Sequence, residues 1–163
     1  MLAPIQLGVK AVIVNVKRRS GKRGPVKSKK VTYDGITFAS GLEKYMYMAL
    51  AKADIKSDYE GQTYQLLESF KFENESYERQ ANGKGDMVNR GCKSVLGIKY
   101  TPDFIADDFI IETKGRANES FPIRWKLFKD YVKKNLPSVT LYKPQNHKEC
   151  DIVVELILKS RNK

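Results

Sequence analysis

The stretch Lys99–Gly115 constrains this chain most. The apolar runs Phe104-Ile105-Ala106 and Phe109-Ile110-Ile111 flank Asp107-Asp108, with further charges at Asp103, Glu112 and Lys114. Aromatic and β-branched runs on either side of a polar dipeptide predict a β-hairpin. With Asp107-Asp108 as a two-residue loop, Ala106 pairs with Phe109 and opposed residue numbers sum to 215, so Asp103 faces Glu112. Alternation along the strands puts Lys114 on the face of Glu112, and Phe104 and Ile111 on the other. A four-residue loop keeps this parity and a three-residue loop breaks it. Pro102 favours an extended Thr101 and removes a ladder donor, which predicts a splayed or bulged strand just before Asp103.

Two readings of the charged face stand side by side: a solvated row of charges with a favourable cross-strand pair, or a ligand site. Ile105 and Ile110 share that face, which predicts partial cover. Opposed carboxylates repel unless a cation lies between them.

The 163 residues, 41% of them hydrophobic, suffice for one core. The net charge of +11 is unevenly placed: residues 1–30 hold nine Lys or Arg and no acid, leaving +2 for the remainder. The expected organisation is a basic N-terminal arm, 1–30, and a globular domain, 31–163. Such an arm is an electrostatic footprint for nucleic acid; the alternative is a disordered solubilising tail. Arg18, Arg19, Lys22, Arg23, Lys27, Lys29 and Lys30, with Gly and Pro between them, are the candidate phosphate contacts, joined by Arg116 beside the hairpin. Val9–Val16 fits either a strand or an arm that orders on binding.

The apolar run Ala11–Val14 is too short to span a membrane, and its basic cluster follows it, so a cytoplasmic protein without membrane contact is expected. Cys92 and Cys150 are far apart and His147 is the one histidine, which argues against structural zinc, a disulfide framework and His-based nucleophilic chemistry. His147 is expected at the surface near a helix start.

Val31–Phe38 reads as a tight hairpin turning at Asp34-Gly35, and Ser40-Gly41-Leu42-Glu43 as a capping box opening a helix from Gly41 to Asp54. Glu43 thus has a purely structural explanation beside any chemical one. Residues 64–81 suggest strands and 82–93 a loop. A helix over 123–134 is expected to turn Ile123, Leu127, Phe128 and Tyr131 inward and its Lys and Arg outward, towards solvent or a phosphate track. A strand over 139–142 follows, then a helix over 146–159 with Ile152, Val153, Leu156 and Ile157 as its apolar stripe. Helix, strands, helix, strand, helix predicts an α/β fold with a central mixed sheet flanked by helices.

Hard divalent cations take oxygen ligands, and Mg²⁺ is commonly held by one or two carboxylates with waters and phosphate oxygens. Asp103 and Glu112 supply that set, and the Thr113 carbonyl is placed to add a third oxygen. Glu43, if its helix packs on the hairpin, completes a second position. Lys114 offers a point charge to orient a water, lower its pKa or stabilise a pentavalent phosphate.

Pro102-Asp103, then Glu112-Thr113-Lys114, resembles the PD-(D/E)XK signature of the restriction-endonuclease-like nucleases. With Phe38-Ala39-Ser40-Gly41-Leu42-Glu43, Tyr100-Thr101-Pro102-Asp103-Phe104 and Glu112-Thr113-Lys114-Gly115 in order, Ser40–Gly115 resembles the phage endonuclease I family of Holliday-junction resolvases. The resemblance implies a restriction-endonuclease-like core, catalytic residues Glu43, Asp103, Glu112 and Lys114, and Mg²⁺ as cofactor with Mn²⁺ as a substitute. It also implies four-way junction DNA as substrate, an intertwined homodimer and, for a phage protein, the host cytoplasm. The interval from Glu43 to Asp103 is longer than the family pattern, with residues 73–93 as the insertion. The alternatives are a nuclease acting on nicked, flap or single-stranded DNA and a catalytically silent DNA-binding module.

Overall fold

A computed structural model describes residues 29–115 and 118–162 of the chain. Strands Val31–Tyr33 (β1) and Ile36–Phe38 (β2) pair through Asp34 and Gly35, whose φ values of 51° and 74° give the turn that suits strand twist. Gly41–Lys52 (α1) follows. The chain leaves this helix two residues before the expected end, and Asp54 has a positive φ. Next comes Asp58–Tyr59 (β3), a strand too short for periodicity to reveal.

The chain then runs outward as Tyr64–Leu67 (β4), Phe70–Phe72 (β5) and Tyr77–Glu78 (β6), and back as Val88–Asn89 (β7), Lys93–Val95 (β8) and Ile98–Tyr100 (β9). β4 pairs with β9, β5 with β8 and β6 with β7, all antiparallel, making one long two-stranded ribbon. The expected loop over 82–93 is thus partly the returning strand. Both faces of the outer ribbon meet water, so β7 and β8 carry no apolar alternation to betray them. Gly91 and Gly97 allow the close crossing: a Cβ at Gly91 would lie 2.0 Å from the Asn74 carbonyl oxygen, and one at Gly97 2.5 Å from that of Leu67.

Beyond the ribbon stand Phe104–Ile105 (β10), Phe109–Ile111 (β11), Phe121–Asn135 (α2), Thr140–Tyr142 (β12) and His147–Arg161 (α3). β12, β11, β10 and β3 form a mixed four-stranded sheet, antiparallel except for β11 and β12, which α2 connects as parallel neighbours. Alternation along the sheet divides the core. Phe104, Phe109 and Ile111 pack with Met46, Leu50, Val153 and Ile157 of α1 and α3. Ile110 packs on the opposite side with Tyr64, Tyr100 and the aromatic face of α2.

The α/β class and the mixed sheet with three helices match expectation, but two helix faces are rotated. In α2 the buried stripe is Phe121, Trp125, Phe128 and Val132, and Ile123 is exposed. The larger aromatics occupy the contact with Tyr64 and Tyr100. In α3 Cys150, Val153 and Ile157 are buried, whereas Ile152 and Leu156, each about 100° round the helix from a buried neighbour, face outward. Both cysteines are free thiols, and His147 is exposed at the start of α3, stacked on Tyr45 at 4.0 Å between ring centroids.

Candidate active site

The β10–β11 hairpin has the predicted register. Phe104 pairs with Ile111 and Ile105 with Ile110, so pairs sum to 215, and the Ala106 N–H donates to the Phe109 carbonyl at 2.9 Å. Neither loop aspartate has a positive φ. Asp108 instead takes both an Nε and an Nη2 hydrogen bond from Arg161 at 2.7 Å, which ties the turn to α3. The Arg161 guanidinium holds the Asp108 carboxyl below its ordinary range.

One step past the Phe104–Ile111 pair the strands part. Pro102 is fully buried, and the strand interrupted at Tyr100 resumes only at Phe104, so the break falls just before Asp103 as Pro102 predicts. Asp103 and Glu112 occupy this opening. The Thr113 N–H and hydroxyl both donate to Asp103 Oδ2, each at 2.6 Å. Lys114 Nζ lies 3.7 Å from Glu112 Oε1 and 4.9 Å from the centre of the Phe121 ring at the start of α2. The backbone beyond β11 stays attached to the chain beyond β12: Glu112 N–H donates to the Tyr142 carbonyl at 3.0 Å and Lys114 N–H to that of Pro144 at 2.9 Å. Glu112, Thr113 and Lys114 are therefore carried on paired, rigid backbone.

Burial is the main force on the two acids. Glu112 is 5% exposed, and desolvation pushes the carboxyls of both Glu112 and Asp103 above the ordinary range. The charge of Glu112 adds to the rise at Asp103, the Thr113 hydrogen bonds oppose it, and Lys114 opposes the rise at Glu112. A buried and a half-buried carboxylate that repel one another and have one nearby ammonium are short of positive charge.

Glu43 is held differently. It is buried at the start of α1, where Ser40 Oγ donates to Oε1 at 2.8 Å, and the Ala39 N–H (2.8 Å) and Tyr59 hydroxyl (2.7 Å) donate to Oε2. Asn146 and Glu149 build the same kind of cap on α3, with Glu149 taking the Gln145 N–H at 2.8 Å. The capping-box explanation is therefore realised in full at Glu43. What sets it apart from Glu149 is Tyr59 and its position: its charge adds to the raised pKa of both Asp103 and Glu112. Among the described residues no three acidic, His or Cys side chains converge on one metal-sized point. The structure thus joins Asp103, Glu112, Thr113 and Lys114 into one site, with Glu43 alongside and its oxygens engaged.

Two members of this neighbourhood escape a reading of the sequence. Tyr59 clamps Glu43 from a two-residue strand, and Tyr100, packed on Ile110, brings a buried hydroxyl to the sheet face that carries Glu112. Tyr100 falls within the Tyr-Thr-Pro-Asp-Phe segment, which is the one local signal that could have drawn it in.

Lys29 and Lys30 are exposed at the edge of the described region. Arg18, Arg19, Lys22, Arg23, Lys27 and Arg116 lie outside it, as does most of the expected arm. On α2, Arg124, Lys126, Lys129, Lys133 and Lys134 all face outward, and Lys134 is paired with Asp130 at 2.6 Å. No described helix is long and apolar enough to cross a membrane.

No curated protein and no solved structure matches the chain. One family does, over residues 23–144, a span that includes β1 to β12 and the whole Asp103–Lys114 site. The chain belongs to that family, whose description is protein of unknown function (DUF1064).

Proposed function

We propose that this chain is a Mg²⁺-dependent DNA endonuclease with a restriction-endonuclease-like core, selective for branched DNA of the four-way-junction type. The observation that carries the reading is the pair of half-buried Asp103 and buried Glu112, with Lys114 Nζ 3.7 Å from Glu112. A carboxylate pair that raises its own pKa by burial and repulsion is suited to a hard divalent cation, and the donor set of two carboxylates completed by water and phosphate oxygens is the ordinary one for Mg²⁺. Mn²⁺ fits the same oxygens.

Asp103 and Glu112 would hold the cation, with the Thr113 carbonyl as a further oxygen; Thr113 already fixes Asp103 through Oδ2 and leaves Oδ1 for a ligand. Mg²⁺, when bound, supplies a Lewis acid that lowers the pKa of an attacking water and offsets charge on the scissile phosphate. Lys114, on the Phe121 side, orients that water and places a positive charge where the phosphate gains negative charge. Glu43 contributes its field, and serves as a ligand only after releasing Ser40 or Tyr59. The exposed Lys and Arg of α2 and the basic N-terminal arm give the DNA backbone its contacts.

The reading includes a homodimer, which a junction-cleaving enzyme needs to hold two sites at fixed separation. Its support is the ribbon: Leu67, Phe70, Tyr77, Val88, Val95 and Leu96 are exposed on it, and between residues 68 and 95 five Lys or Arg balance five Asp or Glu. A neutral, apolar, two-edged ribbon suits a second copy better than it suits DNA.

A second reading, a DNA-binding module without cleavage, draws on the engaged oxygens of Glu43 and the absence of a three-acid cluster among the described residues. Asp103→Asn and Glu112→Gln separate the two. For the nuclease, both variants lose cleavage at least a hundredfold while DNA affinity in a gel-shift assay persists. Unchanged cleavage by either variant would sink the cation assignment.

A further inference from the structure

Tyr100 closes β9 at the base of the ribbon, and its ring is wedged into the aromatic face of α2, 4.6 Å from the Phe128 centroid and 6.2 Å from that of Trp125. The residue is 7% exposed. Its hydroxyl is the buried side-chain group that finds no hydrogen-bond partner among the described residues. A phenylalanine would fill the same space without stranding a donor, so a buried, unpaired hydroxyl requires an explanation.

Packing puts the residue on the face that carries Glu112: Tyr100 clusters with Ile110, two residues before Glu112 on the same strand face, and with Phe121, whose ring lies 4.9 Å from Lys114 Nζ. The negative charge of Glu112 raises the phenol further above its ordinary range after desolvation. Glu112 is thereby flanked by two donors from different elements: Lys114 from its own strand extension and Tyr100 from the ribbon base. The packed ring fixes the hydroxyl in place.

We propose that Tyr100 is a positioning residue for Glu112: when the Asp103–Glu112 pair takes up a divalent cation, the Tyr100 hydroxyl donates to one Glu112 oxygen and holds the other towards Asp103. This rests on the reading of that pair as a cation site. Donors behind a ligating carboxylate fix its orientation, and removing one typically lowers metal affinity by about 10–100-fold.

The hydroxyl has no hydrogen-bond partner among the described residues, so the proposal makes opposite predictions for stability and for binding. Tyr100→Phe should leave the thermal midpoint in EDTA unchanged or slightly raised. Its Mn²⁺ affinity, measured by calorimetry on the full chain, should fall about tenfold, and the Mn²⁺ concentration giving half-maximal DNA cleavage should rise in step, with the saturated rate largely kept. Equal Mn²⁺ affinity in Tyr100→Phe and wild type would overturn the role of Tyr100 and leave the cation site standing. So would a midpoint in EDTA several degrees below wild type, since the hydroxyl would then serve the fold itself. Wild type that binds no Mn²⁺, with or without DNA, would overturn the cation site and the role of Tyr100 together.

Discussion

Thr113 clamps Asp103 through a single oxygen: its N–H and its hydroxyl both reach Oδ2 at 2.6 Å, and Oδ1 is left for another partner. The amide bond is part of the backbone and survives any substitution other than proline. The hydroxyl can be removed alone.

Thr113→Val keeps the shape and deletes that donor. A hydrogen bond to a charged group contributes about 1.5–3 kcal/mol, and this one acts against the desolvation that raises Asp103. The loss should be largest where Asp103 is ionised. Urea unfolding is expected to show destabilisation of about 1–3 kcal/mol at pH 8 and clearly less at pH 5. Equal losses at both pH values would mean that the hydroxyl does not distinguish the charged from the neutral acid.

The raised carboxyls make a second prediction, in which the direction matters. Asp103 and Glu112 both bind protons more tightly folded than unfolded. Their contribution to stability is therefore present at low pH and is lost as pH rises from the ordinary carboxylate value of 3.8 for Asp through the higher folded value. The stability of the protein without added metal, and with it the thermal midpoint, should fall between pH 5 and pH 8, by up to about 1.4 kcal/mol for each pH unit below the folded pKa. Asp103→Asn should flatten that slope, and saturating Mg²⁺ at pH 8 should restore the wild-type midpoint. An identical pH slope in the variant would place the origin of the effect elsewhere.

The ribbon makes the third. Leu96 is 83% exposed and Phe70 45% exposed, and a two-stranded ribbon is marginal by itself in water. Sedimentation velocity should give a dimer for wild type and a monomer for Phe70→Glu/Leu96→Lys, with helix content retained because neither side chain packs in the two cores. A wild-type monomer at micromolar concentration would contradict the dimer.

The central hairpin was legible because strand alternation and a two-residue loop leave one register, and Phe104 meets Ile111 and Ile105 meets Ile110 where parity puts them. Ser40 and Glu43 announced α1 by a cap whose geometry is local. What was not legible depended on partners distant in the chain. The α2 face was set by Tyr100 receiving Trp125 and Tyr64 receiving Phe128, which periodicity alone could not favour over Ile123. Tyr100 was hidden for a sharper reason. Uninterrupted alternation puts it on the face of Phe104, but the break at Thr101–Asp103 resets the parity, and Tyr100 packs with Ile110 on the other side of the sheet from Phe104. The same proline that opens the strand before Asp103 turns Tyr100 to the face that carries Glu112.

The measurement that tests the account most directly is cleavage of a four-way junction beside a linear duplex of matched sequence, by wild type and Lys114→Ala, in Mg²⁺ and in EDTA. The account predicts paired nicks on the junction in Mg²⁺, none in EDTA, and a rate at least a hundredfold lower for Lys114→Ala. Binding of either DNA without any Mg²⁺-dependent cleavage would contradict it.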